Sequence, residues 1–141
     1  LPMPLGDEVG KISYNYDLKD DYVDFAASLI DMDLSGLKIV LDTAEGAAYY
    51  TAESTLRKLG AEPIVIHNNP DGININRGCG STHMDELMAR VVSEKADVGI
   101  AFDGDADRCL AVDENGNVVP MLGTKCHSLK EFFEEFYGKF D

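Results

Sequence analysis

Hydrophobic and polar residues follow two different periods along residues 17–119. Short runs of apolar, often β-branched residues predict strands buried on both faces, and apolar positions three and four residues apart predict helices. The strands are predicted at residues 37–41, 62–67 and 96–102, and the helices at residues 17–30, 47–60 and 83–95. Because strands and helices alternate, they predict a parallel sheet joined by right-handed crossovers.

Local signals place the ends and faces of these helices. Gly60 is predicted to close the second helix as a C-cap, and Ser81 or Thr82 to cap the start of the third. Residues 68–80 are dense in turn-forming residues and predict a long loop. The apolar positions at helical spacing are Tyr22, Phe25, Ala26 and Leu29 in the first helix and Leu87, Val91 and Val92, predicted to face inward, in the third.

After the third strand, residues 108–119 predict a hairpin that turns at residues 114–116 and adds an antiparallel edge strand. The predicted fold class is α/β, a three-layer α/β/α sandwich with a mixed, mostly parallel sheet of about four strands. Residues 1–16 are predicted to be a linker segment, 17–119 the α/β domain, and 120–141 a tail with a short amphipathic helix.

Composition narrows the class of partner. The 141 residues carry a net charge of −14, which repels nucleic acid and anionic membranes and favours cations. No apolar run approaches the roughly 20 residues of a membrane helix, and no secretory signal is visible at the start. The odd set of cysteines, Cys79, Cys109 and Cys126, favours free thiols in a reducing cytoplasm.

The candidate chemistry lies in "VGIAFDGDADRCLAV", residues 98–112, where three aspartates occupy alternate positions after a core strand. Ligands of open α/β sheets gather at the carboxyl ends of strands. Asp103, Asp105 and Asp107 are therefore predicted to hold Mg²⁺, because it prefers hard oxygen ligands. Arg108 adds a guanidinium whose fork geometry suits a phosphate.

Three other interpretations of this loop are weaker. An ordinary surface turn would place three carboxylates together with no cation to offset their repulsion. An EF-hand loop needs Gly where this chain has Arg108, and it follows a helix rather than a strand. An aspartyl-phosphate phosphatase would place a Thr-like residue where this chain has Asp107.

The remaining candidate residues are scattered. His67, His83 and His127 are dispersed along the chain and are predicted to be ordinary loop and cap residues rather than a shared metal site or dyad. Cys109 is predicted to be a small buried residue rather than a nucleophile.

The aspartate segment closely resembles the metal-binding loop of the α-D-phosphohexomutase superfamily. "LKIVLDTAEGAAY" and "NINRGCGSTH" are similar to its phosphoglucosamine mutase branch, and the likeness covers residues 1–119. It implies the second of four domains, with Asp103, Asp105 and Asp107 on Mg²⁺, Arg108 beside the phosphate and His83 as a neighbour of the site. The implied reaction converts glucosamine 6-phosphate to glucosamine 1-phosphate through a bisphosphorylated sugar, towards cell-wall precursors.

The resemblance also sets limits. The family's phosphoserine loop, Thr-Ala-Ser-His-Asn-Pro, does not occur in these 141 residues, so we expect no catalytic residue and no mutase activity from this chain alone. A sugar phosphate is an expected partner only in the full-length context. Glu45 stands where the family has Asn, and residues 120–141 do not match the family. The alternative is a vestigial α/β binding module that self-associates through this tail.

Overall fold

A computed structural model of the chain describes residues 9–119, together with residues 3, 5 and 6. The helices are α1 (Leu18–Ser28), α2 (Thr51–Lys58) and α3 (Asp85–Glu94). The strands are β1 (Lys38–Asp42), β2 (Glu62–Ile66), β3 (Val98–Phe102) and β4 (Cys109–Val112). Short 3₁₀ turns at Ala47–Tyr49 and Gly80–Thr82 come before α2 and α3. The tail helix predicted within 120–141 lies outside the described residues.

The four strands form one mixed sheet in the order β2-β1-β3-β4. β1 runs parallel to β2 and to β3, so that Val40 pairs with Ile64 on one side and Gly99 on the other. β4 pairs antiparallel with β3, and the chain returns through a bridge between Val112 and Val118. The predicted mixed sheet with an antiparallel edge strand is confirmed.

Both faces of the sheet are buried, as the continuous apolar runs predict. On one face Ile39, Leu41 and Ile100 pack with Leu34 and against Leu56 of α2. On the other face, Val40, Ala101 and Val112 pack against Leu87 and Val91 of α3. Alternate residues of each strand thus reach opposite layers, which confirms the three-layer α/β/α arrangement.

The apolar positions of the first helix lie mostly on its surface. Tyr22 and Phe25 of α1, and Leu29 directly after it, are 56, 59 and 62% exposed, while Val23 and Ala27 are buried. The reason is that α1 packs on α2 rather than on the sheet, and Tyr22 borders a cavity of about 470 Å³ between them. Among residues 9–119, little of the core therefore covers the apolar stripe of α1.

Two predictions about α3, the burial of Val92 and the residue that caps its start, are wrong. Val92 is 51% exposed because it lies against the turn at Gly116 and not against the sheet. Neither Ser81 nor Thr82 caps the helix, since both belong to the separate 3₁₀ turn and Met84 precedes the first helical residue.

Gly60 does close α2 as predicted: its φ is +95°, and its N–H donates to the Arg57 carbonyl at 3.0 Å.

The turn after β4 is organised by one carboxylate. Asp113 Oδ1 accepts the backbone N–H groups of Asn115 at 3.0 Å and Asn117 at 2.7 Å. Burial alone would raise the pKa of Asp113, but the hydrogen bonds from Asn117 and Asn115 lower it. This carboxylate therefore stabilises the fold above its unfolded pKa of about 3.9, and that contribution is lost as the pH falls through its lower folded pKa.

Asp113→Ala is expected to lower the free energy of unfolding by about 1–2 kcal/mol at pH 7, because two backbone donors lose a charged acceptor. Urea unfolding at pH 7 and at pH 3 measures the effect, and the difference from the parent chain is expected to shrink at pH 3. Glu114→Ala in the same turn is the control and is expected to change stability by less than about 0.5 kcal/mol. An equal loss at both pH values would contradict the role of the ionised carboxylate.

Candidate metal centre at the carboxyl edge of the sheet

Three polar side chains follow, or end, the three parallel strands. Asp42 is the last residue of β1, His67 comes directly after β2, and Asp103 directly after β3. Carboxyl ends of parallel strands meet at one edge of the sheet, where ligands of such folds bind. Several non-glycine residues with a strained, left-handed backbone conformation also lie at this edge of the sheet. Among the described residues with positive φ other than glycine, those in the loops of this edge are Ala44, Glu45, His67, Asn76 and Ala106.

The aspartate loop brings its three carboxylates together. One oxygen from each of Asp103, Asp105 and Asp107 lies within 4.8 Å of the others. The Asp103 side chain is buried, and the other two are exposed. The loop is closed by the Asp103 N–H, which donates to the Arg108 carbonyl at 3.2 Å, and by a left-handed Ala106 with φ +60°. The structure thus places all three predicted ligands around one point.

Arg108 holds two of these carboxylates. Its Nη2 lies 2.7 Å from Asp103 Oδ2, and its Nε donates to Asp107 Oδ1 at 3.1 Å. Burial alone would raise the pKa of Asp103, but the Arg108 N–H, the contact with Asp107 and the Arg108 charge lower it. Asp103 is therefore a carboxylate at neutral pH. The Arg108 side chain, although it contacts two carboxylates, is 77% exposed and so accessible to an anion from solvent.

The donor set fits a hard divalent cation. Asp103 Oδ2 is buried, and among the described residues its charge is balanced by the ion pair with Arg108 Nη2 at 2.7 Å rather than by a well-aligned hydrogen bond. Three carboxylates around one point repel one another, and a single guanidinium does not neutralise them. A cation between the three carboxylates would offset this repulsion with oxygen ligands of the kind that Mg²⁺ and Ca²⁺ prefer.

Two glycines let the neighbouring loops close around the aspartates. The Ala47 N–H donates to the Gly104 carbonyl at 2.8 Å, and a Cβ on Gly46 would lie 2.3 Å from that oxygen. A Cβ on Gly104 would lie 2.6 Å from Asn76 Nδ2 and 2.8 Å from Ile75. The loop after β1 thus fixes the position of the aspartate loop by backbone contact, and the loop after β2 does so through the side chains of Ile75 and Asn76.

Two other residues named from the sequence lie away from the carboxylates. His83 is exposed, its Nδ1 lies 3.1 Å from Thr82 Oγ1, and no contact joins it to the aspartates within the described residues. Cys109 is half-buried in β4, where burial and the charge of Asp103 raise its pKa. Glu45, which departs from the family pattern, is accommodated: its Oε2 accepts the Asn69 N–H at 2.6 Å.

Sequence reasoning missed a second cluster, formed by Asp42, His67 and Cys79. His67 Nδ1 lies 3.0 Å from Asp42 Oδ2, although the sequence predicted an isolated loop histidine. The order of elements could have indicated this contact, because Asp42 ends one strand and His67 directly follows the parallel strand beside it. No sequence spacing places Cys79 there, since the conformation of the loop at 68–80 decides its position.

Comparisons with known proteins show which proteins this chain is similar to. The family model described as phosphoglucomutase/phosphomannomutase, alpha/beta/alpha domain II, matches residues 20–116. The phosphoglucosamine mutase of Clostridium novyi (strain NT) is 58% identical over 119 residues, which cover 84% of this chain and 26% of that protein. That of Pelotomaculum thermopropionicum is 58% identical over 119 residues, covering 84% and 27%.

The fold comparison gives the same result. The crystal structure of a phosphoglucomutase/phosphomannomutase family protein from Burkholderia thailandensis aligns with a TM-score of 0.63 at 29% identity, covering 74% of this chain and 23% of that one. The chain spans about a quarter of the length of the curated relatives that it matches. Within its described part, no helix is long and apolar enough to cross a bilayer.

Proposed function

The chain belongs to the phosphoglucomutase/phosphomannomutase family through its α/β/α domain II, and we propose that it is the magnesium-binding domain of a phosphoglucosamine mutase. The observation that carries the proposal is the convergence of Asp103, Asp105 and Asp107 after β3, three carboxylates gathered beside the single guanidinium of Arg108. The relatives named above are phosphoglucosamine mutases, and the reaction that the resemblance implies is interconversion of glucosamine 6-phosphate and glucosamine 1-phosphate.

Each side chain has a separate task in this proposal. Asp103, Asp105 and Asp107 would hold Mg²⁺, which when bound neutralises charge on a transferring phosphoryl group. Arg108 offers an exposed guanidinium beside the carboxylates, able to hold phosphate oxygens in a fixed orientation. The buried Asp103 is the rigid member of the set, because Arg108 fixes its oxygens through the backbone and the side chain.

The phosphoryl carrier and the sugar site would come from the three quarters of the relatives' length that lie outside the match. We therefore propose that the 141-residue chain binds the cation but does not turn over sugar phosphates by itself, and that the complete enzyme works in the cytoplasm. The domain would occupy residues 17–119, with 1–16 as a linker.

Magnesium melting curves test the metal site. With a Kd of about 1 mM, 10 mM Mg²⁺ would add about 1.4 kcal/mol, which raises the Tm by about 5 °C for a domain of this size. Asp105→Asn is expected to remove most of this increase, whereas Asp21→Asn, which removes an exposed carboxylate from α1, is expected to keep it. All samples need equal ionic strength, because the net charge of −14 makes non-specific screening stabilising. Equal shifts in all three proteins would overturn the site.

A further inference from the structure

The second cluster at the carboxyl edge, Asp42, His67 and Cys79, takes no part in the proposed function. We propose that these residues form a separate site for a thiophilic divalent cation of the Zn²⁺ class. The aspartate loop offers three hard oxygens, whereas this cluster offers one thiolate sulfur, one imidazole nitrogen and one carboxylate oxygen. Such mixed donors favour Zn²⁺ over Mg²⁺.

The three donor atoms are already gathered. They lie within 4.8 Å of one another, and Asp42 and Cys79 are fully buried. Ligand atoms around a tetrahedral Zn²⁺ lie about 3.3–3.8 Å apart, given metal–ligand bonds of about 2.0–2.3 Å. His67 Nδ1 and Asp42 Oδ2, 3.0 Å apart, are slightly closer than this spacing, and 4.8 Å is the upper limit for the other pairs, so binding would require the side chains to rotate. The ligands come from the end of β1, the residue after β2 and the loop before the 3₁₀ turn at Gly80–Thr82.

An unsatisfied nitrogen is the second observation. His67 Nδ1 is shielded from solvent and has no hydrogen-bond partner among the described residues, although Asp42 Oδ2 is only 3.0 Å away. His67 Nε2 lies 3.2 Å from Glu86 Oε2, and in the tautomer that carries its proton on Nε2 it donates to this carboxylate. A neutral ring that donates from Nε2 presents a lone pair at Nδ1. Two acceptors then face each other, an arrangement that a cation between them stabilises.

The surrounding contacts are those of an oriented metal site. A metal-bound histidine donates its other ring N–H to a carboxylate, and here Glu86 provides one. The Asp42 carboxylate is held in turn by the N–H groups of Ala44 on Oδ1 and Gly80 on Oδ2, both at 2.8 Å. Both ligands are therefore oriented by hydrogen bonds to neighbouring groups before a cation binds.

Binding changes the protonation state of Cys79. The thiolate rather than the thiol is a metal ligand, so formation of the metal–sulfur bond releases the thiol proton to solvent.

Cobalt titration of the full chain tests the site, because Co²⁺ substitutes for Zn²⁺ and gives a thiolate-to-cobalt absorption band. A Cys109→Ser/Cys126→Ser background leaves Cys79 as the single thiol. One equivalent of Co²⁺ is expected to produce the band, and Zn²⁺ to displace it. Cys79→Ser in this background is expected to abolish the band. No band in a folded protein, or a band that survives Cys79→Ser, would overturn the proposal.

Two exposed positions of α3 keep the test independent of folding. Glu86→Gln is expected to weaken Co²⁺ binding about 10–100-fold through the lost support of His67. Asp85→Asn, its neighbour, is expected to leave binding unchanged. Equal affinities for these two variants would contradict the role of Glu86 in orienting His67. Asp105→Asn is expected to keep the cobalt band, so failure of this site is distinguishable from failure of the magnesium site.

Discussion

A chimaera in which residues 1–119 replace the matching segment of the Clostridium novyi phosphoglucosamine mutase is expected to interconvert glucosamine 6-phosphate and glucosamine 1-phosphate. Asp105→Asn in this chimaera is expected to lower kcat/KM at least about 100-fold, because a bound metal supplies several kcal/mol of transition-state stabilisation and each 1.36 kcal/mol is tenfold in rate. Asp105 is exposed, so its replacement removes a cation ligand without opening the core. Coupled detection of glucosamine 1-phosphate measures both rates.

Two controls define what the chimaera tests. Asp21→Asn removes an exposed carboxylate of α1 and is expected to leave kcat/KM unchanged. The isolated 141-residue chain is expected to show no turnover under the same conditions. Full activity of the Asp105→Asn chimaera would contradict the metal role of the aspartate loop, and turnover by the isolated chain would contradict the assignment of the phosphoryl carrier to other domains.

Arg108 gives a second readout in the same chimaera. Arg108→Lys keeps the positive charge but loses the planar fork that contacts Asp103 and Asp107 together. A loss of activity with an unchanged Mg²⁺-induced increase in Tm would place Arg108 on the phosphate. A loss of both would assign it to holding the carboxylates in place.

The sheet was predictable from the sequence because its strands are buried on both faces. In β1, Ile39, Val40 and Leu41 are consecutive apolar residues and all are fully buried, so this short run indicates a strand covered on both faces. The aspartate loop was predictable for a related reason. Its three ligands are neighbours in sequence, and the strand before them fixes the edge of the sheet at which they emerge.

Features set by tertiary packing were not predictable in the same way. The apolar stripe of α1 indicates a helix but not its neighbour, and Tyr22, Phe25 and Leu29 remain largely exposed. The cluster at Asp42 combines residues from two strand ends and a loop. Periodicity gives no register between strands, so His67 looked isolated until β1 and β2 were paired.

Gly46→Val is expected to destabilise the fold by about 3 kcal/mol or more and to lower the Tm by more than about 10 °C. The added Cβ would lie 2.3 Å from the Gly104 carbonyl and 2.8 Å from the Gly104 Cα, so backbone must move. Gly46 has φ −114° and ψ −159°, which any residue adopts. The cost therefore comes from contact between the two loops and not from backbone strain.

The consequence for the site distinguishes this contact from general loss of packing. Movement of Gly104 displaces Asp103 and Asp105 on either side of it, so Gly46→Val is expected also to weaken Mg²⁺ binding. Magnesium titration at a temperature well below the unfolding transition of the variant measures this affinity. Gly10→Val is the matched control, because a Cβ there meets nothing within 4 Å. Its Tm and Mg²⁺ response are expected to equal those of the parent chain. A Gly46→Val protein that melts early yet binds Mg²⁺ with parent affinity would show that the aspartate loop holds its ligand geometry without support from the loop after β1.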